Sequence, residues 1–383
     1  GERRRDPLDY RRRVHSRAHR ESHSDMNLLL VSTPVGALGS GRGGGVEVTL
    51  GTIVAGLLPR GHGVTVLAGA GSSLPQDCGA AALWTESGAE QPSWQHRPRE
   101  APVEIPAAGL LPRFWQRALD TQAQFDLILN LSYDWLPYWL TRWFATPLCH
   151  LVSMGSVADA MDEVIEAVAR WRPERLAFHT AAQAADFHLP APPRLVGNGF
   201  DLSRYGFQPE PQAALGWAGR ITPEKGLEDA GRVAARLGRP LRVWGERQVE
   251  ATISAVEAAV PAGTIEWRGF LPTDTFQAEL GTCAVFLNTP KWNEAFGNVV
   301  VEAMACGVPV AAYARGGPGE LVVEGVNGAL APADDLAALA EAVRRARGVD
   351  RAACRRWAED HHSQRAFGAA IETWLVEVVE AEL

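Results

Sequence analysis

From Met26 onward, short apolar runs alternate with longer stretches in which apolar side chains return every three or four residues. The short runs are of strand length, and the longer return is that of a helix with one buried face. In the first half, strands are expected at 27–33, 63–68, 125–131, 147–152 and 176–179. Helices are expected between them at 46–58, near 110–122, at 134–143 and at 157–170, the first closed by Pro59 and Gly61. The pattern restarts in the second half, with strands near 213–218, 241–245, 264–267, 284–288 and 308–311 and a helical end from Ala333 onward. Strictly alternating strands and helices predict an α/β protein built on doubly wound parallel sheets.

Two stretches break the pattern. Residues 69–109 are rich in Gly, Ala, Pro and Ser and lack a clear period, which predicts a long surface excursion of the kind that often carries function. Residues 189–201, LPAPPRLVGNGFD, hold three prolines and two glycines and read as an interdomain connection. Two Rossmann-like domains are therefore expected, 26–200 and 201–362, with a C-terminal helix at 363–383 packing back on the first. Two such domains would meet in a cleft, the usual place for a ligand.

Composition narrows the class. The 383 residues are 46% hydrophobic and 21% charged with a formal net charge of −8, which suits a globular enzyme and argues against nucleic-acid binding. No apolar run has the roughly 20 residues that a membrane helix needs, so a cytoplasmic protein is the default expectation. Five scattered cysteines without CxxC spacing point to reduced, buried thiols and to no zinc site. Residues 1–25, with eight arginines and five acids, are expected to be a disordered extension. Of 37 basic residues only Lys225 and Lys291 are lysines, and both stand beside the motifs below. An ammonium on a flexible stem is not replaced by a guanidinium fork at every phosphate contact.

Gly39, Gly41 and Gly44 match the GxGxxG spacing of dinucleotide-binding loops, but the following strand and turn, 63–73, hold no acid to grip a ribose. NAD binding is thereby disfavoured. A Gly-rich turn ahead of a helix remains, able to hold a phosphate on its amides or to serve as a plain strand-to-helix turn.

Three stretches of the second half carry chemistry together. GWAGRITPEKG, 216–226, sets Gly219, Arg220 and Lys225 at a strand end before a helix, as a pyrophosphate clamp would need. In 293–310, Glu294 and Glu302 flank the amides of Phe296, Gly297, Asn298 and Val299 at an expected helix start, so carboxylates for hydroxyls and amides for phosphate lie side by side. RGFLP, 268–272, could read a base with its backbone and set Phe270 or Leu271 on the ring, with Arg268 beside them; a plain loop reads nearly as well.

With these motifs, the chain from about residue 26 to its end resembles the retaining glycosyltransferases of family 4, which have the two-Rossmann-domain GT-B fold. The resemblance rests on Glu294 and Glu302 with seven residues between them, on Arg220 with Lys225, and on Asn198-Gly199-Phe200-Asp201, which matches the family's NGxD linker. It implies a first domain for the acceptor and a second for the sugar nucleotide. It further implies that Glu294 binds donor-sugar hydroxyls, that Glu302 binds the ribose, and that Arg220 and Lys225 hold the diphosphate. The Gly43, Gly44 and Gly45 loop would close over the phosphates, and His150 would lie near the donor sugar.

Front-face substitution without a carboxylate nucleophile, metal or other cofactor is the implied chemistry; there is no DxD signature in a suitable loop. Stretches 32–47, 133–140 and 151–162 are further similar to cyanobacterial glucosyltransferases that use UDP-glucose and a tetrahydrobiopterin-type pterin. This makes Tyr133, Asp134, Trp135 and Met154 acceptor candidates. Packing of an aromatic helix is the plain alternative for 133–144. Rival readings are a glycosyltransferase for a membrane lipid or polysaccharide, and a sugar-nucleotide-binding protein without turnover. Arg142 against Asp134 is a weak basic face for a bilayer, so the expected partners are a sugar nucleotide and a small acceptor, with the oligomeric state left open.

Overall fold

The computed structural model describes residues 25–382 apart from Gln248, so the expectation for 1–25 falls almost wholly outside the described residues. The chain divides into two compact units. Unit 1 contains β1 (Asn27–Val31), α1 (Gly45–Leu57), β2 (Gly63–Gly69), β3 (Ala82–Glu86), α2 (Leu110–Thr121), β4 (Leu127–Asn130) and α3 (Trp135–Leu140). It continues with β5 (Leu148–Leu151), α4 (Asp159–Trp171), β6 (Leu176–Phe178) and, after the short α5 (Ala181–Ala184) that groups with unit 2, β7 (Arg194–Leu195). Its seven strands are parallel in the order β3-β2-β1-β4-β5-β6-β7.

The reason β1 is apolar without interruption lies in its two covered faces. Leu28 and Leu30 pack on one side with Ile53 and Val54 of α1, while Leu29 and Val31 pack on the other with Phe114 and Trp115 of α2. A strand covered on both faces loses the polar alternation of a half-exposed one.

Unit 2 is formed by residues 179–186 and 197–366. It contains β8 (Leu215–Ala218), α6 (Leu227–Arg236), β9 (Leu241–Trp244), α7 (Glu250–Ala259), β10 (Ile265–Gly269), α8 (Thr273–Gly281) and β11 (Val285–Asn288). There follow α9 (Asn298–Ala305), β12 (Val310–Tyr313), α10 (Gly316–Leu321), β13 (Gly328–Ala331), α11 (Leu336–Ala346) and α12 (Arg351–His362). Six parallel strands run in the order β10-β9-β8-β11-β12-β13. Alternate residues of β11 again serve two cores, Phe286 with Val300 and Met304 on one face, Val285 and Leu287 with Val233 and Leu339 on the other.

The last helix, α13 (Gln364–Glu380), packs on unit 1 from Phe367 onward, burying Phe367, Ile371, Trp374, Leu375 and Val378 beside α1. Contact is close because both helices carry glycine there: a Cβ on Gly368 would lie 2.7 Å from the Cα of Gly56. Residues 69–109 are not structureless, since they contribute the edge strand β3. All five cysteines are free and buried, and burial pushes their thiols up to about 12. Among the described residues, no helix is long and apolar enough to cross a membrane.

Candidate functional site

In unit 2 the carboxyl ends of β8, β9 and β10 all run into glycine. Gly219 donates to Trp244 O at 3.0 Å and Gly245 donates to Gly269 O at 3.0 Å, giving a floor of backbone without side chains where open α/β sheets take ligands. Arg220 rises from this floor, half-exposed, its guanidinium only 3.9 Å from Glu224 at the nearest approach. The 3-10 turn Pro223–Lys225 ends on Gly226, whose φ of 69° and whose Cβ position, 1.9 Å from Thr289 O, admit only glycine. That close approach brings Lys225 to the loop after β11. There its ammonium donates to Glu294 Oε1 at 2.7 Å, both side chains being largely buried, and lies 5.3 Å from the ring of Trp292.

The loop carrying Glu294 is clamped from two sides. Thr180 Oγ1 donates to Ala295 O at 2.6 Å, and Asn293 Nδ2 donates to Asp186 Oδ1 at 2.8 Å, so residues 179–186 brace the loop although they precede the connection at 189–201 in sequence. Residues 179–186 accordingly group with unit 2, which the chain re-enters at Gly197. On the other side Gly317 donates to Glu294 O at 2.7 Å, and a Cβ on Gly317 would lie 2.4 Å from Phe296 O. The run RGGPGE, 315–320, is thus a site-building element that sequence reading missed; its paired glycines were the available signal.

Gly297, with φ of 95°, caps α9, and the first amides of the helix, Asn298 and Val299, have no intrahelical acceptor. The amide cluster expected between the two glutamates is therefore at a helix start, where its dipole favours an anion. Phe296 is different: its ring is buried against His179, Phe200 and His362 and anchors the loop. Glu302 lies a turn into α9 and accepts from the Tyr205 hydroxyl at 2.7 Å; burial raises its pKa against the opposing pull of Tyr205 and Arg204.

The NGFD motif ties this end of the fold together. Asn198 Nδ2 donates to Asn298 Oδ1 at 3.1 Å, His362 Nδ1 donates to Asn198 O at 3.0 Å, and Asp201 caps the turn at Ser203. Burial lowers His362 to about 4. Since the unfolded chain binds that proton near 6.5, the stability given by a neutral His362 is complete above that pH and is lost as pH falls toward 4. Urea midpoints measured from pH 7 to 4.5 should therefore fall less for His362→Asn than for the wild type, the gap closing by up to about 1.4 kcal/mol per pH unit.

Two of the expected cations have other work. Lys291 pairs with Asp229 and Asp334, and its backbone amide donates to Glu224 O at 2.8 Å. The neighbouring Arg315 and Lys291 hold Asp334 at about 2. Lys291 is thus a tether for the loop rather than a phosphate ligand. Arg268 is corrected as well: Glu279 accepts from it through both oxygens, at 2.6 and 3.0 Å, so it is not a free cation. Phe270 beside it is 73% exposed, whereas Leu271 packs into the core.

In unit 1 the Gly-rich loop holds an anion already, its own Glu47. That carboxylate accepts from the amides of Gly39 at 2.8 Å, Gly41 at 3.2 Å and Gly43 at 2.6 Å, while Gly44, with φ of 59°, precedes the helix start at Gly45. Glu47→Ala is expected to speed amide hydrogen exchange at these three glycines by about tenfold, the loss of roughly one hydrogen bond each, with α1 from Leu50 onward unchanged.

His150 requires a correction. Its ring is fully buried, stacked 4.1 Å from Tyr138, with Nδ1 on Asn130 and Nε2 on Thr141 at 3.0 and 2.8 Å. Neither nitrogen is free for a sugar; it is a satisfied core histidine, held neutral by burial. Tyr133 donates to Gly155 O at 3.0 Å, Asp134 is buried at the start of α3, Trp135 stacks on Trp139 at 5.6 Å, and Met154 is half-buried after β5.

Two parallel-sheet Rossmann-like units make this a GT-B fold, the architecture of glycosyltransferases. Residues 205–360 match the family model for glycosyl transferases group 1, which covers most of unit 2. Over 142 residues the chain is 37% identical to the 2-deoxystreptamine N-acetyl-D-glucosaminyltransferase of Streptomyces fradiae, a stretch that is 35% of this chain and 34% of that protein. It is 32% identical over 269 residues to the D-inositol 3-phosphate glycosyltransferase of Mycobacterium sp. (strain JLS), covering 60% of this chain and 61% of that one. The chain thus spans between a third and three fifths of these relatives. The structure of Anabaena HepE in complex with UDP and glucose is similar with a TM-score of 0.69 over 92% of this chain and 100% of that one; at 18% identity this is a likeness of fold.

Proposed function

We propose that this chain is a retaining glycosyltransferase that moves a hexose from a UDP-sugar to a hydroxyl of a small polyhydroxylated ring. The observation that carries this reading is the buried pair of Lys225 and Glu294 beside the start of α9. A cation, a carboxylate and unpaired helix amides within one loop suit a ligand with a diphosphate at one end and hydroxyls at the other. A sugar nucleotide separates the pair: Lys225 with Arg220 turns to the diphosphate, and Glu294 accepts from the sugar hydroxyls.

As the bond from the anomeric carbon to the β-phosphate oxygen breaks, negative charge grows on the leaving diphosphate, where fixed cations and amides act most strongly. The acceptor oxygen forms its bond on the same face, its proton passes to the departing phosphate oxygen, and configuration is kept. The chemistry described requires positioning and charge, with no carboxylate nucleophile, and no metal enters any step.

Both relatives named above act on ring polyols by their names, which supports a cyclitol-like acceptor. A second reading, a flat pterin acceptor with glucose as the sugar, is supported by the Trp135 and Trp139 stack, with Trp139 49% exposed. Incubation with UDP-glucose and UDP-N-acetylglucosamine against 2-deoxystreptamine, inositol phosphate and tetrahydrobiopterin, read by mass spectrometry, distinguishes them. A hexosylated ring polyol supports the first, a hexosylated pterin the second, and donor binding with no product for any acceptor counts against both.

A further inference from the structure

The loop that carries Glu294 is gripped by two short elements of unit 2, and one side chain ties those elements to each other. On one side, Thr180 Oγ1 donates to Ala295 O at 2.6 Å and Asn293 Nδ2 donates to Ala182 O at 3.1 Å. On the other, Gly317 donates to Glu294 O at 2.7 Å, and α10 comes so close that a Cβ on Gly316 would lie 2.6 Å from Glu294 N. Glu320, exposed near the end of α10, reaches from the second element to the first. Its Oε2 accepts from Ala181 N at 3.0 Å and its Oε1 accepts from Ala182 N. The contacts close into a ring that runs from Glu294 through Gly317 and Glu320 to Ala181, Thr180 and Ala295.

The α5 turn has four residues, too few to persist on its own hydrogen bonds. Its first three amides have no acceptor within the helix, and side chains meet all three: Glu320 takes Ala181 and Ala182, and Thr180 Oγ1 takes Gln183 at 3.1 Å. Because the Thr180 oxygen is committed to the turn in this way, its proton is aimed at Ala295 O. Amide bonds to a carboxylate are roughly twice as strong as bonds between neutral groups. Without Glu320 the turn loosens, Thr180 loses its setting, and the carbonyl next to Glu294 is released.

Resting on the glycosyltransferase reading above, we infer that Glu320 is a positioning residue for the donor sugar. It acts through Thr180 and the backbone of 294–295, fixing where the Glu294 carboxylate stands when the sugar hydroxyls reach it. Such placement matters, since a shift of about 1 Å in a positioning group can cost about 10²-fold in rate. The diphosphate end has a separate anchor: Lys225 leaves the turn that Gly226 seats against Thr289 O, and this turn takes no part in the ring. Loss of Glu320 therefore falls on the sugar and spares the nucleotide.

The test is calorimetric titration of the full chain with UDP and, separately, with UDP-glucose and UDP-N-acetylglucosamine. Glu320→Gln keeps the shape of the side chain and turns one of its two acceptors into a donor facing an amide. It is expected to weaken the tighter-bound UDP-sugar by about three- to tenfold and UDP by less than about twofold. Thr180→Val, which opens the ring at a second place, should repeat that split. In the Glu294→Ala background Glu320→Gln should weaken the UDP-sugar no further, because a residue that acts through another adds nothing once the other is gone.

The inference is overturned if Glu320→Gln holds the UDP-sugar as tightly as wild type does. It is equally overturned if UDP and the UDP-sugar weaken together, or if the loss is as large in the Glu294→Ala background as in wild type, since Glu320 would then be a cap on α5 that serves stability alone. Should wild type bind neither UDP-sugar, the donor reading itself falls, and that outcome is seen before any variant is made.

Discussion

Replacing Glu294 with Ala lowers transfer about 10²- to 10³-fold, the scale of removing one group that stabilises the transition state, while UDP binding is kept or slightly strengthened. The direction follows from the pair described above. Glu294 accepts from Lys225 at 2.7 Å before any donor arrives, so its removal frees the ammonium for the diphosphate and takes away only the contact to the sugar. Glu302→Ala should do the opposite, weakening UDP and leaving the turnover of bound donor near normal, because Glu302 sits a turn inside α9 on Tyr205. Calorimetry with UDP beside single-turnover rates separates the two. A Glu294→Ala protein that loses UDP affinity and keeps its turnover would show that the carboxylate roles are exchanged.

Lys225→Met is expected to be as damaging by a different route. Truncating one partner of a hydrogen-bonded buried charge pair costs about 2 to 5 kcal/mol, and here Glu294 is left without its cation in the place where a second anion, the diphosphate, has to settle. Both KM for the donor and kcat should suffer, KM rising by about tenfold or more. Lys225→Arg should rescue little. The stem leaves the turn directly before Gly226, which meets Thr289 O at a distance that excludes even a methyl group, and the ammonium lies over Trp292; a planar fork does not fit that corner as a point charge does. Full activity in Lys225→Arg would mean that the scarcity of lysine at this position is accidental.

What could be read from the sequence was whatever local chemistry dictates. β1 and β11 declare themselves because both faces are covered, leaving uninterrupted apolar runs. The helix starts that Lys225 and Glu294 precede are legible from local spacing, whereas the ion pair that joins the two side chains is not. What escaped depends on contacts distant in the chain. Residues 179–186 carry no signal that they brace Asn293 and Ala295, more than a hundred positions later. Of the edge strands that went unread, β7 is only two residues long, and Gly328–Ala331, Gly-Ala-Leu-Ala, owes its strand to pairing with β12 rather than to propensity. Arg268 looked free because Glu279, which takes both of its N–H groups, lies on the following helix and belongs to no motif. His150 is set near the donor sugar by the resemblance alone; read by itself it suits a satisfied core histidine, and the Tyr138 ring against which it is packed agrees with that.

The placement of α13 bears on how the polypeptide is made. Trp374, Leu375 and Val378 fill the same apolar layer as Leu28, Leu30 and Ile53, so unit 1 lacks part of its interior until the chain that follows unit 2 has been made. While the ribosome is building unit 2, unit 1 has to wait with α1 uncovered on one flank. It is the stage at which a chaperone would have most to hold, and a stop codon ahead of residue 367 would cripple the end of the molecule farthest from it in sequence.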